Sequence, residues 1–131
     1  MVCLSLPEKL RSLVAGAPAD VVAVYLYGSQ ARGTASPGSD IDLGILLQDV
    51  PPSTLRSTAR RIEGDVERAI HVPVETVVLN TASADLIHRV LRDGILLLDR
   101  DRAARVRFEV QARNEYFDLA PIRRLYRRVP A

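Results

Sequence analysis

Asp40 and Asp42 open the apolar run DIDLGILL, residues 40–47. Side chains alternate across a strand, so Ile41, Leu43, Ile45 and Leu47 take one face while Asp40, Asp42 and Gly44 take the other. The two carboxylates then stand side by side, roughly 6–7 Å apart at Cα. Like charges at that spacing repel, and each is costly to desolvate. A cation between them offsets both costs, and an all-oxygen donor set suits a hard ion such as Mg²⁺. Glu75 is a further acid in an apolar setting, interrupting VPVETVVL, residues 72–79, on the face shared by Val77 and Leu79. If the two strands are neighbours, Glu75 joins Asp40 and Asp42. Three carboxylates on two strands can hold a pair of divalent ions, the arrangement that clamps an in-line phosphoryl displacement.

The stretch just upstream, YGSQARGTASPGS, supplies what such chemistry would act on. Gly28 lets the backbone approach a ligand closely. Ser29 stands where a short helical turn begins, so its hydroxyl and the neighbouring N–H groups can hold a phosphate. Arg32 adds a charge-assisted donor. Gly33 closes the turn, and Ser39, the last residue of the polar loop before Asp40, is a further candidate contact. A GS turn alone, or a D-x-D alone, is ordinary structural punctuation. It is their combination, followed at once by an apolar strand, that points to nucleotide chemistry.

Other polar residues carry less. His71 and His88 are isolated in sequence and read as surface or helix-face residues. Tyr25 and Tyr27 share one strand face and read as core or pocket wall. Tyr116 and Tyr126 read as packing residues in a basic tail.

These groups need a scaffold. Ser5 and Glu8 have capping-box spacing with Pro7 in the first turn, and Leu6, Leu10, Leu13 and Val14 make a helical stripe that stops near Gly16. VVAVYLY, residues 21–27, is β-branched and aromatic, a buried strand ended by Gly28. Residues 40–47 form the second strand. Ser53 or Thr54 can cap a helix whose Leu55, Ala59, Ile62, Val66, Ala69 and Ile70 share one face. Residues 72–79 form the third strand. Ser83 caps a helix with Leu86, Ile87, Val90 and Leu91 on its core side, ended by Gly94, and ILLL, residues 95–98, is a short extended segment. A charged helix runs from Asp99 to about Tyr116, and Pro121 is expected to break or restart it. Alternating strands and helices place the chain in the α/β (α+β) class, with a small mixed sheet and helices packed on it.

At 131 residues the chain is long enough for a single well-filled core. Its 47% apolar and 26% charged content is that of a globular protein. Net charge is only +2, so nothing global demands nucleic acid, and sparse aromatic residues make it an unlikely ligand. Charge is uneven, however. Residues 100–131 hold nine arginines against four acids, which suits an acidic partner or a solvated helix face. Cys3 is the one cysteine, so no intrachain disulfide forms, as expected of a reducing compartment. The N-terminus lacks the pattern of a signal peptide, and no apolar run approaches the ~20 residues of a bilayer span. The expected location is cytoplasmic. Residues 1–99 are expected to form the core, with 100–131 as a basic helical extension of the same domain.

GSQARGTASPGSDIDLGIL resembles the signature of the DNA polymerase β-like nucleotidyltransferase superfamily, with its GS, RG and SDxDL steps all present. In particular it is similar to the minimal nucleotidyltransferase (MNT) antitoxins that partner HEPN-domain toxins, and NEYFDLAPIRRLYRR, residues 114–128, is similar to the tail of such antitoxins. The resemblance implies an enzyme that transfers AMP from ATP to a tyrosine hydroxyl of a HEPN toxin ribonuclease. It implies that Gly28 and Ser29 bind the phosphates, that Asp40 and Asp42 ligate two Mg²⁺, and that Glu75 is the third carboxylate, which helps deprotonate the acceptor. The commonest family pattern has Asp at that last position, so Glu75 carries one extra methylene. Two alternatives stand beside this reading. One is a binding-only antitoxin without catalysis. The other is a nucleotidyltransferase acting on a small molecule, although only about 30 residues follow the core to hold such an acceptor.

Overall fold

A computed structural model describes residues 5–35, 39–48 and 51–128, with side chains described as far as residue 117. Cys3, the middle of the 34–39 loop, positions 49 and 50, and the side chains of Tyr126 and the last arginines lie outside the described residues. The element order is α1 (Leu6–Val14), β1 (Val21–Tyr27), α2 (Ser29–Arg32), β2 (Ile41–Leu47), α3 (Pro52–Ile70), β3 (Val74–Val78), a 3₁₀ turn (Leu79–Thr81), α4 (Ala84–Asp93), β4 (Ile95–Asp99) and α5 (Arg102–Arg128).

The four strands form one mixed sheet in the order β3-β2-β1-β4. β1 pairs antiparallel with both β2 and β4, and β2 pairs parallel with β3 through the α3 crossover. The period-2 pattern of the strands sorts side chains onto two cores. Val24 and Leu26 of β1 and Ile41, Leu43, Ile45 and Leu47 of β2 pack with Leu10 and Val14 of α1 and with Leu55, Ala59, Ile62 and Val66 of α3. Ala23, Tyr25 and Leu46 face the other way and pack with Leu79, Ile87 and Val90, and with Ala112 of α5. The face of β2 that carries Asp42 and Gly44 is thus also covered, through Leu46, by the second core. A Cβ on Gly44 would press at 3.3 Å on both Leu79 and Val90, so that glycine lets the 3₁₀ turn and α4 close over the strand.

Local signals behave largely as the residue types dictate. Ser5 Oγ accepts from Glu8 N (3.3 Å) and Ser83 Oγ from Leu86 N (3.3 Å), each satisfying an amide that its helix leaves unbonded. Three of the boundaries that differ from expectation have a clear physical reason. α3 begins at Pro52, ahead of the Ser53 or Thr54 cap, because a proline in the first turn sacrifices only an amide that has no helical partner anyway. β3 ends at Val78, and Leu79 turns into the second core as part of a 3₁₀ turn. α5 continues through Pro121 to Arg128, where a break was expected. Proline deletes one bond from a long helical ladder, and the turns on either side keep theirs.

Candidate active site

The site grows from the junction of β1, α2 and β2. Tyr27, the last residue of β1, pairs with Asp42 across the antiparallel ladder, and Asp42 pairs with Glu75 across the parallel one. Tyr27, Asp42 and Glu75 thus form a row across three strands at one end of the sheet. The chain then turns sharply at Gly28 (φ 74°, ψ −156°), in a region of backbone space that is essentially glycine's alone. A Cβ there would overlap Asp42 Oδ2, so the glycine is required both by its dihedrals and by the carboxylate against it.

α2 is one turn long. Gly28 O accepts from Ala31 N and Arg32 N (3.2 Å each), which leaves the amides of Ser29 and Gln30 ahead of the first bonded one. Gly33 ends the turn in the left-handed region (φ 73°), with Thr34 N bonded back to Ser29 O at 3.0 Å. Gln30 Nε2 donates to Ser39 O (3.1 Å), which fastens the turn to the far end of the loop beside Asp40.

Tyr27, Gly28, Ser29, Arg32 and Asp42 line a cleft of about 440 Å³, closed on its other side by Leu86, Arg89 and Asp93 of α4. The structure brings Gly28, Ser29, Arg32 and Asp42 together in that lining. Asp40 and Glu75 are exposed at its edge, within electrostatic reach of Asp42. Gly33 and Ser39 stand outside the lining and act on the shape of the turn and loop. Sequence reasoning passed over Gln30, Arg89 and Asp93. The legible trace was a second stripe on α4, with Leu86, Arg89 and Asp93 spaced to share one face beside the apolar one.

The electrostatics are those of uncompensated acid. Burial raises the Asp42 carboxyl above its ordinary range, Glu75 and Asp40 raise it further, and Arg32 opposes them. The Tyr27 phenol is raised by burial and then by Asp42 and Glu75, with Arg89 opposing. Oxygen donors with excess negative charge fit a hard divalent cation. Asp40 and Asp42 would hold it. Among the described residues, no three Asp, Glu, His or Cys side chains converge closely enough to ligate one ion. Glu75 would have to turn inwards to join the other two, and its exposed position leaves room to do so.

Asp40 and Asp42 thus stand beside the glycine-serine turn at one end of the sheet. Residues 8–103 match the family model described as polymerase beta, nucleotidyltransferase, and the chain belongs to that family. Solved structures agree on the fold. A chain from the crystal structure of a toxin–antitoxin with AMP-PNP is 24% identical with a TM-score of 0.74, covering 92% of this chain and 94% of that one. A chain from a variant MntA–HpeT toxin–antitoxin is 25% identical with a TM-score of 0.70, covering 90% of this chain and 91% of that one. A third, from a tri-AMPylated Shewanella oneidensis HEPN toxin in complex with an MNT antitoxin, is 22% identical with a TM-score of 0.66, covering 92% and 91%. No curated protein matches the chain.

Proposed function

We propose that this chain is an MNT-type antitoxin that transfers AMP from ATP to a tyrosine hydroxyl of a HEPN toxin ribonuclease, with Mg²⁺ as cofactor and the cytoplasm as its place of action. The observation that carries this reading is the Tyr27–Asp42–Glu75 row at the mouth of the cleft, with the Asp42 carboxylate against Gly28. The solved toxin–antitoxin complexes with AMP-PNP and with an AMPylated toxin support it.

In this mechanism the Gly28–Ser29 turn holds the nucleotide's phosphates through the Ser29 hydroxyl and the leading amides of α2. Arg32 adds a charged donor from the side. Asp40 and Asp42 would hold a divalent cation, which would neutralise phosphate charge and acidify the acceptor hydroxyl. Glu75 takes the proton as the acceptor oxygen forms its bond to the α-phosphorus. The bond from the α-phosphorus to the bridging oxygen breaks, and pyrophosphate leaves. The chain's contribution is positioning and charge stabilisation.

The toxin must also dock. Val106, Val110 and Phe117 are 40%, 50% and 63% exposed, fall on one side of α5, and are accompanied by exposed Arg113. A partner with an apolar, acid-rimmed surface would cover them. Among the described residues no helix is long and apolar enough to cross a membrane.

Intact-mass spectrometry of a co-expressed HEPN partner, incubated with this protein, ATP and Mg²⁺, tests the proposal. A gain of one or more AMP masses that disappears in Asp40→Asn/Asp42→Asn supports it. A stable inhibitory complex with no mass gain would replace it with the binding-only reading.

A further inference from the structure

The sequence motif contributes one cation to the phosphate site, Arg32 on α2. A second arginine faces the same cleft from a different element. Arg89 of α4 shares the lining with Arg32, Gly28, Ser29 and Asp42. It lies close enough to Tyr27 to act on that phenol electrostatically. Its helical neighbour behaves differently. The Arg92 guanidinium is engaged by Asp93 through Nε (3.0 Å) and Nη2 (2.9 Å), so it is already held. Arg89 is exposed and directed to the cleft, and a long flexible arginine there can follow a ligand. Asp42 at the cleft, with Asp40 and Glu75 at its edge, repels a bound polyphosphate, which makes a cation on each wall valuable.

Resting on the nucleotide reading above, we propose that Arg89 is a binding residue of this site: with Arg32 it grips the phosphate tail of the nucleotide from opposite walls and makes the cleft selective for nucleoside triphosphate and pyrophosphate over monophosphate. Arg32 and Arg89 reach the cleft from different elements, α2 and α4, with the glycine-serine turn in the same lining. In this proposal an extended phosphate chain on that turn engages both cations, and a single phosphate at most one.

The test is calorimetric titration of the full-length protein with AMP-PNP, inorganic pyrophosphate and AMP, in Mg²⁺, comparing wild type with Arg89→Ala, Arg89→Lys and Arg56→Ala. Arg56 is a control charge on α3, on the opposite side of the sheet. Arg89→Ala should weaken AMP-PNP and pyrophosphate by about tenfold or more, the usual scale for a lost charge-assisted hydrogen bond, and AMP by less than about threefold. Arg89→Lys should recover part of the loss, and Arg56→Ala should leave all three unchanged. The inference is overturned if Arg89→Ala binds AMP-PNP like wild type, if AMP loses as much as AMP-PNP, or if Arg56→Ala has the same effect. Wild type that binds AMP-PNP and modifies its partner while Arg89→Ala is silent sinks this inference alone. Wild type that binds none of the probes overturns it together with the nucleotide reading.

Discussion

Two groups of carboxylates sit on this sheet, and their treatment is opposite. At the β4 edge, Asp99 and Glu109 share Arg105, which lies 3.0 Å from each, and Glu109 also accepts from the Tyr25 hydroxyl at 2.7 Å. The contact with Asp99 is ionic rather than a well-aligned hydrogen bond, since Arg105 Nε points its proton elsewhere. Arg113 lies 3.8 Å from Glu109 as well, so each acid has a cation, and the cluster fastens α5 to β1 and β4. At the mouth of the cleft, Asp40, Asp42 and Glu75 crowd one another, and Arg32 only partly offsets them. A fold that pairs its acids in one place and leaves them crowded in another fits the proposed role of the second set in receiving a ligand. The first set contributes stability, and the second costs stability until something positive arrives.

The sharpest break in that contrast is the double substitution Asp40→Asn/Asp42→Asn. AMP transfer should fall about 10³-fold or more, read as the rate of mass gain on the partner, with the fold intact by circular dichroism. A loss below tenfold would remove the two acids from the chemistry. Arg105→Ala should do the reverse, leaving Asp99 and Glu109 without their shared cation. It should cost about 3 kcal/mol of unfolding free energy in denaturant titration, with transfer per folded molecule unchanged at low temperature. Gly28→Ala touches both properties. The new Cβ must displace the Asp42 carboxylate or strain the turn, so stability should fall by about 1–3 kcal/mol and transfer by about 10²-fold. The smallest effect runs opposite in sign to the loss of activity. The Asp42 carboxyl titrates higher in the folded chain than unfolded, so its ionised form destabilises the fold, and the chain gains stability as pH falls through the folded value. Asp42→Asn should therefore raise the metal-free melting temperature slightly at neutral pH, with the advantage shrinking as the pH falls through that range. A lower melting temperature at neutral pH would mean that Asp42 is already neutralised.

Much of the fold and of the site is legible in the residues alone. The capping serines Ser5 and Ser83 announce their helices because a hydroxyl at that position satisfies an amide that nothing else reaches. β1 is legible as an unbroken β-branched and aromatic run, and β2 as an apolar run opened by aspartates on alternate positions, both of which suit burial in a sheet. The two aspartates, the glycine-serine turn and Arg32 are close in sequence, and short-range spacing survives folding. The break expected at Pro121 does not occur because a single lost hydrogen bond does not outweigh the rest of a long helix. The end of β3 is not legible because Leu79 is drawn into a core built by α4, which local propensity does not register.

Chemistry that depends on neighbours in the chain was written in the residues themselves: oxygen donors on alternate strand positions, and a glycine where the backbone must turn. Whether Glu75 stands beside Asp42 depended on which strand edge β3 would take, a pairing that closes only when α3 has crossed over the sheet. Arg89 could be assigned to the cleft only once α4 lay across the second core, bringing it to residues about sixty positions earlier in the chain. Burial likewise came from packing, which closes Gly28 against the Asp42 carboxylate and, with Glu75 and Asp40 nearby, makes that carboxylate costly to ionise.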